Sequence, residues 1–244
     1  MEAARALALG VVAAALLCGC PNPNLYGTPR TVEPGAASHT VSIETVGVLG
    51  ARGKDYSPTV PSYTVRIGLA PRLDLGIRAA NFTSGTADLK WNFYRSKWLD
   101  VAVAPGGQYF FDRANDVHYV HTHLPVMFGI NIGYDATIVL VPGFGVQLAS
   151  REVGIASRPP ADCNPDAPKP PCLAGGEMTR LLGGTTPFFR MGVGFNWRMF
   201  DNFAVQPELT IMRQFPAYDG WMINAGLGVS FMNLPKYTAE WTDQ

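Results

Sequence analysis

FRMGVGFNWR, residues 189–198, decides the fold. Phe189, Met191, Val193, Phe195 and Trp197 alternate with Arg190, Gly192, Gly194, Asn196 and Arg198. A period of two belongs to a β-strand, whose successive side chains point to opposite faces. One face here is wholly large and apolar; the other carries charge or no side chain. Outward along the chain the pattern recurs. In TADLKWNFYR (86–95), Ala87, Leu89, Trp91 and Phe93 oppose Asp88, Lys90 and Asn92. Val65, Ile67 and Leu69 alternate with Thr64, Arg66 and Gly68, and Leu73, Leu75 and Ile77 with Arg72, Asp74, Gly76 and Arg78. Near the C-terminus Trp221, Ile223, Ala225, Leu227 and Val229 alternate with Asn224, Gly226, Gly228 and Ser230. Ten strands are expected: 40–49, 62–70, 72–80, 86–95, 98–110, 117–132, 136–149, 186–199, 203–213 and 220–232.

Alternation alone does not say which face is outside. Short of the strand ends, the apolar face carries no charged residue. Lipid enforces such a rule, because Arg or Lys facing it at the midplane costs about 2–4 kcal/mol. The polar face collects Glu44, Arg66, Arg72, Asp74, Arg78, Asp88, Lys90, Asp100, His121, His123, Arg190, Arg198 and Glu208. Among them stand Gly68, Gly76, Gly106, Gly129, Gly143, Gly145, Gly192, Gly194, Gly226 and Gly228. A narrow barrel lumen needs such residues, to make room for long charged neighbours and for strong coiling. Short connections at 70–72, 96–97, 133–135 and 200–202 alternate with longer ones, above all 150–185. The expected fold is all-β, an antiparallel up-and-down transmembrane β-barrel of about ten strands. Trp91, Phe93, Tyr94, Trp98, Trp197, Phe200 and Phe203 are expected as an interfacial girdle at one end, and Tyr109, Phe110, Phe111 and Tyr119 at the other.

Composition agrees. The 244 residues hold 19 Lys+Arg and 19 Asp+Glu, for no net charge, and only 16% are charged. Soluble domains average about 25%. A basic nucleic-acid binder and an acidic disordered chain are both excluded. Beyond residue 20 no apolar run approaches the ~20 residues of a spanning helix.

Residues 1–20 read MEAARALALGVVAAALLCGC, with an apolar core of signal-peptide length from Ala6 to Leu17. Leu17-Cys18-Gly19-Cys20 resembles a bacterial lipobox, although Cys18 stands where Ala or Ser is commoner. The resemblance implies a signal peptide over 1–19, cleavage before Cys20 and a lipidated Cys20; the alternative is an ordinary signal peptide with an incidental cysteine. Residues 20–38, rich in proline, are expected as a tether. The barrel domain is expected over 39–234 and a C-terminal tail over 235–244. Cys163 and Cys172 lie in the Pro-rich stretch ADCNPDAPKPPCLAGG, in a chain marked for export, and are expected to form a disulfide.

Other groups could carry chemistry. His121 and His123 share a face and could hold a metal or act as a catalytic base, but no residue spacing brings a partner to them, so neither metal nor cofactor is expected. Pro105, Pro125 and Pro142 fall inside three consecutive strands at nearly one height. Proline donates no ladder hydrogen bond, so these strands could be weakly paired there, giving a lateral opening from lumen to lipid; bulges in the wall are the alternative.

Taken together, the strand pattern over residues 40–234 resembles the Gram-negative outer-membrane β-barrel superfamily, with a departure in the tail PKYTAEWTDQ that follows the last strand. The resemblance implies an outer-membrane location among lipid, the N-terminus on the periplasmic side and loop 150–185 outside. The expected role is non-enzymatic: a structural barrel or a narrow conduit for a small or apolar solute. Two alternatives stand beside it. One is a lipid-modifying enzyme using the lumen histidines. The other is a soluble periplasmic lipoprotein barrel with the two faces swapped and an apolar ligand inside.

Overall fold

The computed structural model describes residues 24–50, 53–56, 60–80, 84–112, 117–133, 135–150, 154–156, 178–180, 185–215 and 220–235. Its strands are β1 (Ala37–Gly50), β2 (Gly53–Tyr56), β3 (Val60–Ala70), β4 (Leu73–Ala80), β5 (Ser84–Arg95), β6 (Leu99–Val103), β7 (Gly106–Asp112), β8 (Val117–Ile132), β9 (Ala136–Ala149), β10 (Gly154–Ala156), β11 (Met178–Arg180), β12 (Thr185–Phe200), β13 (Phe203–Gln214) and β14 (Gly220–Met232). Short strands β10 and β11 pair only with each other. The others form one antiparallel sheet that closes on itself where β14 pairs with β1, from Ser38 opposite Met232 to Gly50 opposite Gly220. β6 and β7 share one place in the circuit, between β5 and β8, and β2 lies along β1 beyond the end of β3. Ten strands therefore make the wall. Expected and observed strands agree to within three residues at their ends, except that Ala104 and Pro105 split the fifth into β6 and β7.

The barrel is apolar outside and polar inside. In β12, Met191, Val193, Phe195 and Trp197 are 39–49% exposed, whereas Arg190 is 1% exposed. The soluble alternative required the opposite arrangement and is overturned by it. Inside lie Arg66, Asp74, Arg78, Asp88, Lys90, Asp100, His121, Arg190 and Glu208, all buried, and His123, partly buried. Two expected lumen residues lie at the rim instead. Arg72 occupies the Pro71-Arg72 turn with φ +66, because the register shifts between Gly68 and Ala70 and β4 starts one residue late. Arg198 is partly exposed and donates to the Asp201 and Leu234 carbonyls, 2.9 and 3.4 Å away. Placing a charge on the outer face tests the orientation. Val193→Arg, mid-strand, should destabilise the barrel by about 2–4 kcal/mol in a bilayer, read as a lowered urea midpoint.

One end carries the tight turns at 71–72, 96–98 and 201–202, and Gly133, at φ +72, follows β8 there. Trp91, Tyr94, Trp98, Trp197 and Phe200 are outward-facing and half-exposed or more around this end. His39 stacks there between Tyr63 and Phe231, with centroids 5.9 and 5.6 Å away. At the long-loop end the expected girdle is half right. Tyr109 faces out and bonds His118 Nδ1 at 2.7 Å, with Phe111 stacked on His118. Phe110 and Tyr119, each 1% exposed, turn inward instead and stack at 4.5 Å. Alternation dictates this: Phe110 lies next to outward Tyr109, and Tyr119 next to outward Val120.

Candidate functional site: a lumen plugged from within

The expected tether is, from Asn24 onward, a plug. Asn24, Leu25, Tyr26, Thr28, Arg30, Thr31 and Val32 are each at most 8% exposed. At the tight-turn rim Gly35, with φ +78, reverses the chain into β1, donating to the Gly68 carbonyl at 2.9 Å. The segment then runs back inside the barrel, past Asp74 and Asp100, to Arg78 and Glu208 higher on the wall.

Wall charges hold the plug by its backbone. Glu208 accepts from the Leu25 and Tyr26 amides at 2.9 and 2.8 Å. Lys90 Nζ donates to the Thr28 and Arg30 carbonyls at 3.0 and 2.5 Å. Asp74 accepts from the Val32 amide at 3.2 Å, and Arg78 donates to the Asn24 carbonyl. Arg30 supplies the plug's own charge and meets Asp100 at 2.7 Å; Asn131 also donates to Asp100, at 2.9 Å. Behind the plug the wall charges pair with one another. Arg66 bridges Asp74 and Asp88, and Lys90 lies 3.2 Å from Asp74. A charge-assisted bond to a backbone group supplies orientation as well as energy, and here nearly every grip is of that kind.

The lumen glycines make room for the plug. A Cβ on Gly68 would lie 2.1 Å from the Glu33 carbonyl oxygen, and on Gly129 2.8 Å from Pro29 Cδ. On Gly226 and Gly228 it would strike the Tyr26 hydroxyl and ring at 1.9 and 2.7 Å. Gly76 serves the expected purpose instead, giving space to the Arg66 guanidinium, 2.8 Å from such a Cβ. The sequence pattern missed two things. It did not connect the glycine face to a segment outside the strands, although so many bare positions were the available signal. It also missed an apolar lumen patch where Leu25 packs against Ala102, Ala104, Met127, Val139 and Val141. Both faces are apolar in those stretches, so alternation was blind there.

Beyond the plug, toward the long loops, aromatic rings crowd the lumen. His121 bonds Gln147, meets Phe110 edge-on at 5.2 Å and lies 5.4 Å from Phe188. His123 is two residues away, but among the described residues no His, Cys, Asp or Glu cluster is arranged to hold a metal ion.

The three prolines do share one height. Ala104 and Pro105 interrupt the β6–β7 line, opposite Leu124 and Pro125. Pro125 pairs with Gly143, beside Pro142, and the β8–β9 ladder then skips to Phe128 opposite Leu140. Two backbone bonds cross the break, Leu89 N–H to the Pro105 carbonyl at 2.9 Å and Ala104 N–H to the Pro125 carbonyl at 3.1 Å. The lumen side is packed by Ala104, Met127 and Val141 against Leu25. The belt is thus a stitched and filled stretch of wall. Nearby, outward-facing Leu124, Phe144, Pro187 and Phe215 help line an apolar groove of about 590 Å³. Cys20, Cys163, Cys172, the expected signal peptide and the tail beyond Pro235 lie outside the described residues.

An even number of antiparallel strands, closed edge to edge, with lipid-type residues outside and ion pairs inside, leaves one architecture. The fold is that of the small outer-membrane β-barrels. Solved structures with a similar fold include an outer-membrane channel from Pseudomonas putida F1 (9% identity, TM-score 0.46, covering 87% of this chain and 100% of that one). Others are the outer-membrane protease OmpT from Escherichia coli (8%, 0.42, 86% and 99%) and Ail, the attachment invasion locus protein of Yersinia pestis (11%, 0.37, 81% and 98%). No family model matches the sequence, and no curated protein matches it significantly.

Proposed function

We propose that this chain is a non-enzymatic outer-membrane conduit held closed by its own N-terminal segment. Its tight-turn end and plug entrance face the periplasm, and loop 150–185 faces outward. The observation that carries this reading is how the plug is held. Its polar contacts are mostly hydrogen bonds from charged wall side chains to its backbone groups, which water can replace, and the wall closes by its own ladder from β1 to β14 without it. A purely structural barrel of this size has no need of a separate filling, because its own side chains can fill the lumen. The solute would be small, since the aromatic rings of Phe110, Tyr119 and Phe188 narrow the upper lumen. An enzyme would need a base held by a third group beside a nucleophile. Gln147 could hold His121 as such a base, but the other neighbours shown for its ring are Phe110 and Phe188 rather than a hydroxyl or thiol.

Planar-bilayer conductance tests this. The full chain should be silent or open only briefly. A variant lacking residues 24–34 should conduct, and more so when combined with Phe188→Ala. If both variants keep a heat-modifiable gel shift but stay silent, the barrel is not a conduit.

A further inference from the structure

Arg190 differs from the lumen's other cations. It is 1% exposed, yet its Nε and Nη2 have no hydrogen-bond partner. Arg66 and Lys90 are paired with Asp74, Arg30 with Asp100, and Arg78 bonds the plug. Glu208 is the acid whose charge reaches Arg190, but its two oxygens already accept from Leu25 and Tyr26. It also stands four positions away in register, opposite Gly194, whereas Arg190 is opposite Met212. A buried guanidinium left this way is costly.

The unbonded atoms are not scattered. Nε and Nη2 form one edge of the guanidinium, the fork that takes a carboxylate or phosphate with two parallel bonds. Thr210, 0% exposed, has an equally unpartnered Oγ1 on the next strand. Both groups border the backbone of Gly192, with Val141 between them: a Cβ there would lie 3.0 Å from Thr210 Oγ1, 3.3 Å from Val141 Cβ and 3.5 Å from Arg190 Nη2. On the other side the Arg190 stem lies against Gly143, where a Cβ would come within 3.2 Å of its Cγ. We infer that Arg190 and Thr210 form an oxyanion site in the lumen between plug and aromatic rings, which takes a single carboxylate or phosphate group. Arg190 supplies the charge and two donors, and the Thr210 hydroxyl a third. No step of it requires the lumen to conduct.

The test folds the full chain from urea into detergent at fixed ionic strength in chloride, acetate or phosphate, and follows the heat-modifiable gel shift. Acetate or phosphate should raise the melting midpoint by several degrees in a saturable way, and the effective salt identifies the group. Arg190→Met should abolish the shift. Thr210→Val should weaken the apparent affinity severalfold. Arg190→Lys keeps the charge and loses the fork, so it guards against misfolding of the Met variant; it should bind at least tenfold more weakly. A wild-type midpoint equal in all three salts would overturn the site, as would an undiminished shift in Arg190→Lys.

Discussion

Asp74→Ala is expected to cost the barrel about 3–5 kcal/mol, the range for removing one partner of a buried ion pair. Asp74 is fully buried. One carboxylate serves three partners: Arg66 at 2.9 Å, Lys90 at 3.2 Å and the Val32 amide at 3.2 Å. Without it Arg66 retains Asp88, but Lys90 retains only the plug carbonyls. Two like charges would then share one dry layer with a single acid between them. Urea unfolding in detergent reads the loss. Asp74→Asn, which keeps an acceptor for Val32 but not the charge, separates the plug bond from the ionic part. A loss under 1 kcal/mol in the Ala variant would mean that water reaches this layer.

Gly68→Val should dislodge the plug while sparing the wall. The three atoms nearest a Cβ at this position all belong to the plug backbone: the Glu33 carbonyl oxygen at 2.1 Å, the Glu33 carbonyl carbon at 2.6 Å and the Val32 oxygen at 2.7 Å. Backbone cannot yield as a flexible side chain can, so the segment must leave the rim, breaking the bond from Gly35 to Gly68. A cysteine at Thr28, a buried plug residue, reports it. Thr28→Cys should react with a membrane-impermeant maleimide at least tenfold faster in the Gly68→Val background than alone, with the chain lacking Thr28→Cys as the blank. Equal rates would mean that the plug adjusts in place.

The wall was legible in the sequence because lipid imposes a hard rule. A strand facing hydrocarbon carries no charge outward at mid-span, so Phe189 to Trp197 and Ala87 to Phe93 state both the period and the phase. Legibility failed where that rule is silent. Residues 24–36 have no period, because a segment gripped by its backbone amides and carbonyls needs no pattern of side chains. Only its hosts, Gly68, Gly129, Gly226 and Gly228, carry a trace of it. Pairing partners were equally hidden: that Arg66 would join Asp74 and Asp88 follows from the register of β3 on β4 and β4 on β5, which alternation leaves open. Phe110 and Tyr119 were misassigned because an aromatic near a strand end suits a girdle or a lumen alike, and only strict phase separates them.

Tyr26 has a further consequence, for assembly. The barrel closes where the last strand meets the first, and the phenol ring sits on that seam. Gly226 and Gly228 of β14 lie beneath it, opposite Glu44 and Ser42 of β1. Slipping the last strand by one residue would turn its apolar face inward and set Leu227 where a glycine must be. The ring then has nowhere to go. The Tyr26 ring and the native register of the seam therefore fit only together, so the plug and the closure of the barrel select one another.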